Sequence, residues 1–140
     1  MIDDYAKSNK VLMQTIDMLA GKGIAFRYGG GQRILFVDGI TADITIDADF
    51  DHVGMELLRK AKVPKVHRTE KLKELNAINR MIQAGHWELT EDGTVRFRSY
   101  LKIEDPGTDI ETSRIEDMFF GMLRENRIYG KRGEDRWTQY

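Results

Sequence analysis

Cysteine is absent from the 140 residues, which excludes a disulfide framework, a thiolate metal site and a thiol nucleophile together. Proline occurs only at Pro64 and Pro106, and each reads as a break between elements. No apolar run approaches the roughly 18 residues of a membrane span. Charge of one sign is also lacking: 22 basic against 23 acidic side chains leave a net charge of −1, with no overall drive toward nucleic acid or an anionic membrane. Met1-Ile2-Asp3-Asp4-Tyr5 carries acids where a signal peptide would carry basic residues. These absences predict a soluble, cytoplasmic protein that does not engage membrane.

Catalytic constellations are missing as well. His52, His67 and His86 lie in separate segments, without the convergent spacing of a zinc site. Asp47, Asp49 and Asp51 alternate like the start of a calcium loop. The sixth position, however, is His52 instead of Gly and the twelfth is Leu58 instead of Glu, so the match fails. Gly29-Gly30-Gly31 leads into Gln32 and a strand, where a phosphate-binding loop would lead into a helix. Ser8, Ser99 and Ser113 have no elbow motif around them. The expectation is a protein that is not an enzyme and holds no metal or cofactor.

What is present organises itself around residues 72–103. Leu72, Leu75, Ile78, Asn79 and Ile82 fall at helical spacing, and Gly85 sits where a left-handed C-terminal cap is wanted. The period then changes to two. Trp87 and Leu89 alternate with polar residues, as do Val95, Phe97, Leu101 and Ile103, and Asp92-Gly93 between the runs is a strong hairpin signal.

Before this unit, residues 3–20 predict an amphipathic helix with Tyr5, Asn9, Leu12, Ile16 and Leu19 on one stripe. Strands follow at Ile24–Tyr28, Arg33–Val37 and Thr41–Asp47, with connections too short for parallel crossovers, hence an antiparallel meander. Asp49 or Asp51 offers an N-cap for a second helix carrying Phe50, Val53, Leu57, Leu58 and Ala61 and stopped at Pro64. Val63–Thr69 is a basic connector. After the hairpin, Asp105-Pro106-Gly107 turns the chain, and Thr108 with Glu111, or Ser113 with Glu116, makes a capping box. The last helix presents Ile115, Met118, Phe119, Met122 and Asn126. Residues 1–130 thus read as one α+β domain, and residues 131–140 as a polar tail that Trp137 and Tyr140 could anchor.

Two patches suggest binding. Arg96, Arg98, Tyr100 and Lys102 line the polar side of one strand, a pattern that suits single-stranded nucleic acid if it is not simply a solvated face. Seven basic residues lie between Arg59 and Lys73 against Glu70 alone, and five acids lie between Asp38 and Asp51; the two stretches read as solvated surfaces, or the first as a basic patch for an acidic partner. Apolar surface is the other signal: of seven methionines, Met118 and Met122 flank Phe119 and Phe120, and Phe120 falls off the main stripe, where an interface would use it. The partner-binding candidates are therefore Arg96, Arg98, Tyr100 and Phe120.

The element order, the Leu75-Asn76-Ala77-Ile78-Asn79 helix, the hairpin over 87–101 and the Ile115-to-Leu123 helix together resemble the YbjN-like proteins of bacteria. These share the fold of type III secretion chaperones: helix, three-stranded antiparallel meander, helix, β-hairpin, helix. The resemblance implies a non-enzymatic, chaperone-like or regulatory module. It would bind a protein or peptide partner as a homodimer, by strand addition at a sheet edge beside apolar pockets. The alternatives are a nucleic-acid-associated regulator using the basic sheet face and an enzyme with an unrecognised site.

Overall fold

The computed structural model describes residues 9–29, 33–82 and 84–132. Its elements are α1 (Lys10–Gly21), β1 (Arg27–Tyr28), β2 (Ile34–Val37), β3 (Ala42–Ala48), β4 (His52–Lys62), a 3₁₀ turn (Lys65–His67), α2 (Arg68–Asn79), β5 (His86–Leu89), β6 (Thr94–Lys102) and α3 (Asp109–Arg132). The strands form one antiparallel sheet in the order β1-β2-β3-β4-β6-β5. The α+β class stands.

One element differs from expectation. The segment read as a second helix is β4, the longest strand. Val53, Leu57 and Ala61 are four apart, and four is both one helical turn and two strand repeats, so these residues fit either period. Met55 and Arg59 break the tie, because they too point inward and complete a strict alternation of buried residues. β3 and β6 then supply backbone partners along both edges of β4. Asp49 and Asp51 consequently belong to a hairpin turn, closed by the Asp49 N–H donating to His52 O at 3.0 Å, and Phe50 is exposed. The meander has four strands.

One sheet face carries Leu35, Ile44, Ile46, Val53, Met55, Leu57, Val95 and Phe97, and α1 and α3 cover it with Leu12, Ile16, Leu19, Ile115, Phe119 and Met122. Asn9 caps α1: its side chain accepts from Leu12 N–H at 3.1 Å and donates to Ala48 O at 3.2 Å, tying the helix to β3. The expected helix residues 3–8, Gly30 and Gly31 of the first turn, and the tail with Trp137 and Tyr140 lie outside the described residues. The first strand is shorter than expected, while Ile24 and Phe26 still pack on the core. α3 runs two residues beyond Gly130. At its start Thr108 Oγ1 accepts from the Glu111 N–H, but the Glu111 carboxylate takes the Glu104 N–H, so only half of the capping box forms.

α2 ends at Asn79, earlier than its apolar spacing suggests, and Leu72 is 46% exposed. Gly85 does adopt a positive φ of 81°, but as the entry to β5 and not as a helix cap. A Cβ there would lie 2.5 Å from the Phe97 ring. The hairpin tip is as expected, with Gly93 at φ 88° and Thr90 N–H donating to Thr94 O at 2.9 Å.

Candidate functional site

Arg96, Arg98 and Tyr100 share the sheet face that the helices leave open. The two arginines are not available as a cationic track. Arg96 Nε lies 2.6 Å from Glu88 Oε1, and Glu56 is 3.8 Å away. Arg98 lies 3.8 Å from both Glu56 and Glu88. Burial pushes the Glu88 carboxyl up, but His86 and Arg96 outweigh it and hold it below its ordinary range. These are cross-strand neighbours: Glu56 pairs with Arg98, and Glu88 with Arg96. Tyr100 stacks on His52 with ring centroids 5.6 Å apart. Together they border an open-face depression of about 790 Å³ that crosses Gly54.

The basic stretch Arg59 to Lys73 is likewise dispersed. Arg59 and Lys71 are buried, Lys60 lies 3.7 Å from Asp43, Lys62 bonds Asp92 at 2.7 Å, and Arg68 donates to Glu91 O at 2.6 Å. Phe120 stands apart from the other three candidates. It sits on α3, across the sheet, 39% exposed, with its ring edge-on to Phe119 at 5.3 Å. The structure therefore joins three of the four candidates and separates the fourth.

A different surface combines unsatisfied backbone with apolar side chains. β5 covers β6 only as far as the His86–Arg98 pair. Asn79 of α2 grips the outer edge of β5: its amide donates to Trp87 O at 2.9 Å and accepts from Trp87 N–H at 2.7 Å. Trp87 thus faces away from β6, and the alternation of an antiparallel ladder makes Arg98 face β5. By the same alternation Tyr100 and Lys102 face outward, past the end of β5. Lys102 O accepts from Arg114 at 3.4 Å, and Ile103 N–H points the other way, to Asp51 O at 2.7 Å. Among the described residues no hydrogen bond takes up the outward N–H and C=O of Tyr100.

Beside this free edge lies a groove of about 540 Å³ between α3 and the turn that follows α2. Its apolar lining is Met81, Ile82, Phe97, Leu101, Met118 and Met122, with Arg114, Asp117, Arg124 and Glu125 at the rim. Gly121 opens the helix wall, since a Cβ there would meet nothing within 4 Å. Glycine in a helix interior costs up to about 1 kcal/mol relative to alanine, so the opening comes at the expense of α3.

Tyr129 holds the two helical walls of this site to the sheet. Its ring stacks on Trp87 at 4.8 Å, with Lys71 Nζ 4.8 Å and the Arg59 guanidinium 5.1 Å from its centroid. Arg59 also donates to Asn126 Oδ1, whose amide donates to Thr41 Oγ1 at 3.2 Å. Lys71 is fully buried and lies 3.1 Å from Glu74. A desolvated cation over an aromatic face contributes about 2 kcal/mol or more. Sequence reasoning missed this cluster, although Tyr129 continues the Ile115, Phe119, Met122, Asn126 stripe at helical spacing.

Among solved structures, the crystal structure of YbjN from E. coli, a proposed transcription regulator, superposes with a TM-score of 0.60 over 92% of this chain and 96% of that one, at 13% identity. The chain has a YbjN-like fold. No protein-family model and no curated protein matches the sequence. No helix of the described residues is long and apolar enough to cross a membrane.

Proposed function

We propose that this protein is a non-enzymatic, cytoplasmic binding module that takes an extended segment of a partner protein as an added strand along the outer edge of β6. The observation that carries the reading is the outward backbone of Tyr100, lying beside the Met81–Leu101–Met118 groove. The occupant would run antiparallel to β6, in line with β5, placing alternate side chains in the groove. Size favours such a segment over a second copy. The uncovered edge is four residues long, whereas a stable protein–protein interface needs about 800 Å² per partner. A groove of about 540 Å³ lies in the range that encloses a small ligand or a few side chains. The YbjN-like fold supports a binding or regulatory role. The resemblance to secretion chaperones extends the reading to a homodimer, and Ile110 and Phe120, exposed on α3, are apolar side chains that a second copy would cover.

The test is fluorescence anisotropy with labelled short peptides bearing Leu, Val or Phe at every second position. Binding is expected, weakened at least tenfold by Tyr100→Pro and by Gly121→Leu. Tyr100→Pro removes a donor that no ladder bond uses, and Gly121→Leu fills the groove, so both retain the far-ultraviolet circular dichroism of the parent. Peptides that fail to bind, or that bind both variants unchanged, would remove the reading. Salt-dependent binding of single-stranded oligonucleotides that is lost in Arg96→Ala and Arg98→Ala would replace it with the nucleic-acid alternative.

A further inference from the structure

Thioethers are the oxidisable sulfurs of a chain without cysteine, and their burial differs sharply. Met18, Met55 and Met122 are buried and Met13 and Met118 are half-buried, while Met81 is 71% exposed on the lip of the groove. The turn after α2 holds it there, its N–H donating to Ile78 O at 2.9 Å while the Ile82 N–H donates to Asn79 O at 3.3 Å. We propose that Met81 is a modification site for peroxides, whose sulfoxide lowers the affinity of the groove for an apolar segment.

The sulfur lone pair attacks one peroxide oxygen, the O–O bond breaks as the S–O bond forms, and the departing hydroxide takes the proton of the hydroxyl now on sulfur, leaving the sulfoxide and water. Sulfur is oxidised by two electrons and the peroxide is reduced. Reaction rate follows access, so Met81 reacts before the methionines of the core. The product replaces an apolar, flexible side chain by a polar, chiral one in a lining that Met81 shares with Ile82, Leu101 and Met118. Because Met81 lies outside the core, the oxidised chain remains folded. Methionine sulfoxide reductases reverse the change.

The effect on binding rests on the peptide reading above, but the modification does not, and the experiment separates them. The protein is treated with hydrogen peroxide and peptide-mapped by mass spectrometry over time, and the anisotropy assay is repeated at each point. One added oxygen at Met81 is expected several-fold faster than at Met122 or Met55. Peptide affinity should fall about tenfold with the same time course and be restored by reductase. Measured against its own untreated affinity, Met81→Leu should lose the early peroxide response. Equal oxidation rates at Met81 and Met122, or an undiminished peroxide response in Met81→Leu, would overturn the proposal. A selective Met81 sulfoxide in a protein whose untreated form binds no peptide would sink the binding reading and leave the modification site standing.

Discussion

Asn79 spends its whole amide on one residue of an edge strand. Its two bonds to Trp87 imitate a neighbouring strand and close the outer edge of β5, which would otherwise be open to pairing. Asn79→Ala leaves both Trp87 groups unpartnered in a partly buried place. The expected loss is about 1–3 kcal/mol in urea denaturation, with faster exchange of the Trp87 amide hydrogen. Tyr129→Ala should cost about 3–5 kcal/mol, since it removes a fully buried ring and the face that Lys71 and Arg59 share. Lys71→Met should destabilise the fold in the same assay, because it takes the cation from the Tyr129 face and leaves the Glu74 carboxylate without its counter-charge. At the hairpin tip, the Lys62 ammonium first, then Thr90 and Thr94, hold the Asp92 carboxyl far below the usual carboxylate range. A depressed carboxyl stabilises the fold above its unfolded value, near about 3.9, and that contribution is lost as pH falls below it. The stability difference between the parent and Asp92→Asn should therefore be constant from about pH 5 to 8 and shrink below about pH 4.

The element that decides the architecture is β4. It pairs with β3 on one side and β6 on the other, joining the meander to the hairpin in one sheet. Gly54 sits within this central strand with open space where a Cβ would be, and glycine inside a strand weakens it. Gly54→Thr should raise stability by about 0.5–1 kcal/mol, read as a higher urea midpoint, and should leave peptide binding at the β6 edge unchanged. The segment was legible as amphipathic but not as extended. Its most apolar positions, Val53, Leu57 and Ala61, satisfy both periods, and the buried Arg59 reads in sequence as surface charge. The hairpin over 86–102 had no such ambiguity, because Trp87, Leu89, Val95 and Phe97 alternate and Asp92-Gly93 marks the turn.

At the scale of the whole molecule, the helices cover one sheet face and leave the other to cross-strand ion pairs. The proposed homodimer is checked by light scattering after size-exclusion chromatography, with a dimer expected to persist at high salt because apolar surface would carry it. A species that falls apart as salt rises would point to ionic association instead. The sequence by itself determined the α+β class, the amphipathic helices, the hairpin with its turn and the inward Asn of α2, because these depend on local periodicity and on turn chemistry within a few residues. Only the tertiary structure decided that β4 is a strand, that Arg96 and Arg98 are matched by Glu56 and Glu88, that Phe120 lies away from them, and that β5 ends short of Tyr100. Each of these depends on which segments lie side by side. Strand neighbours bring together residues such as Glu56 and Arg98 that are far apart in the chain, and no local pattern reports that proximity.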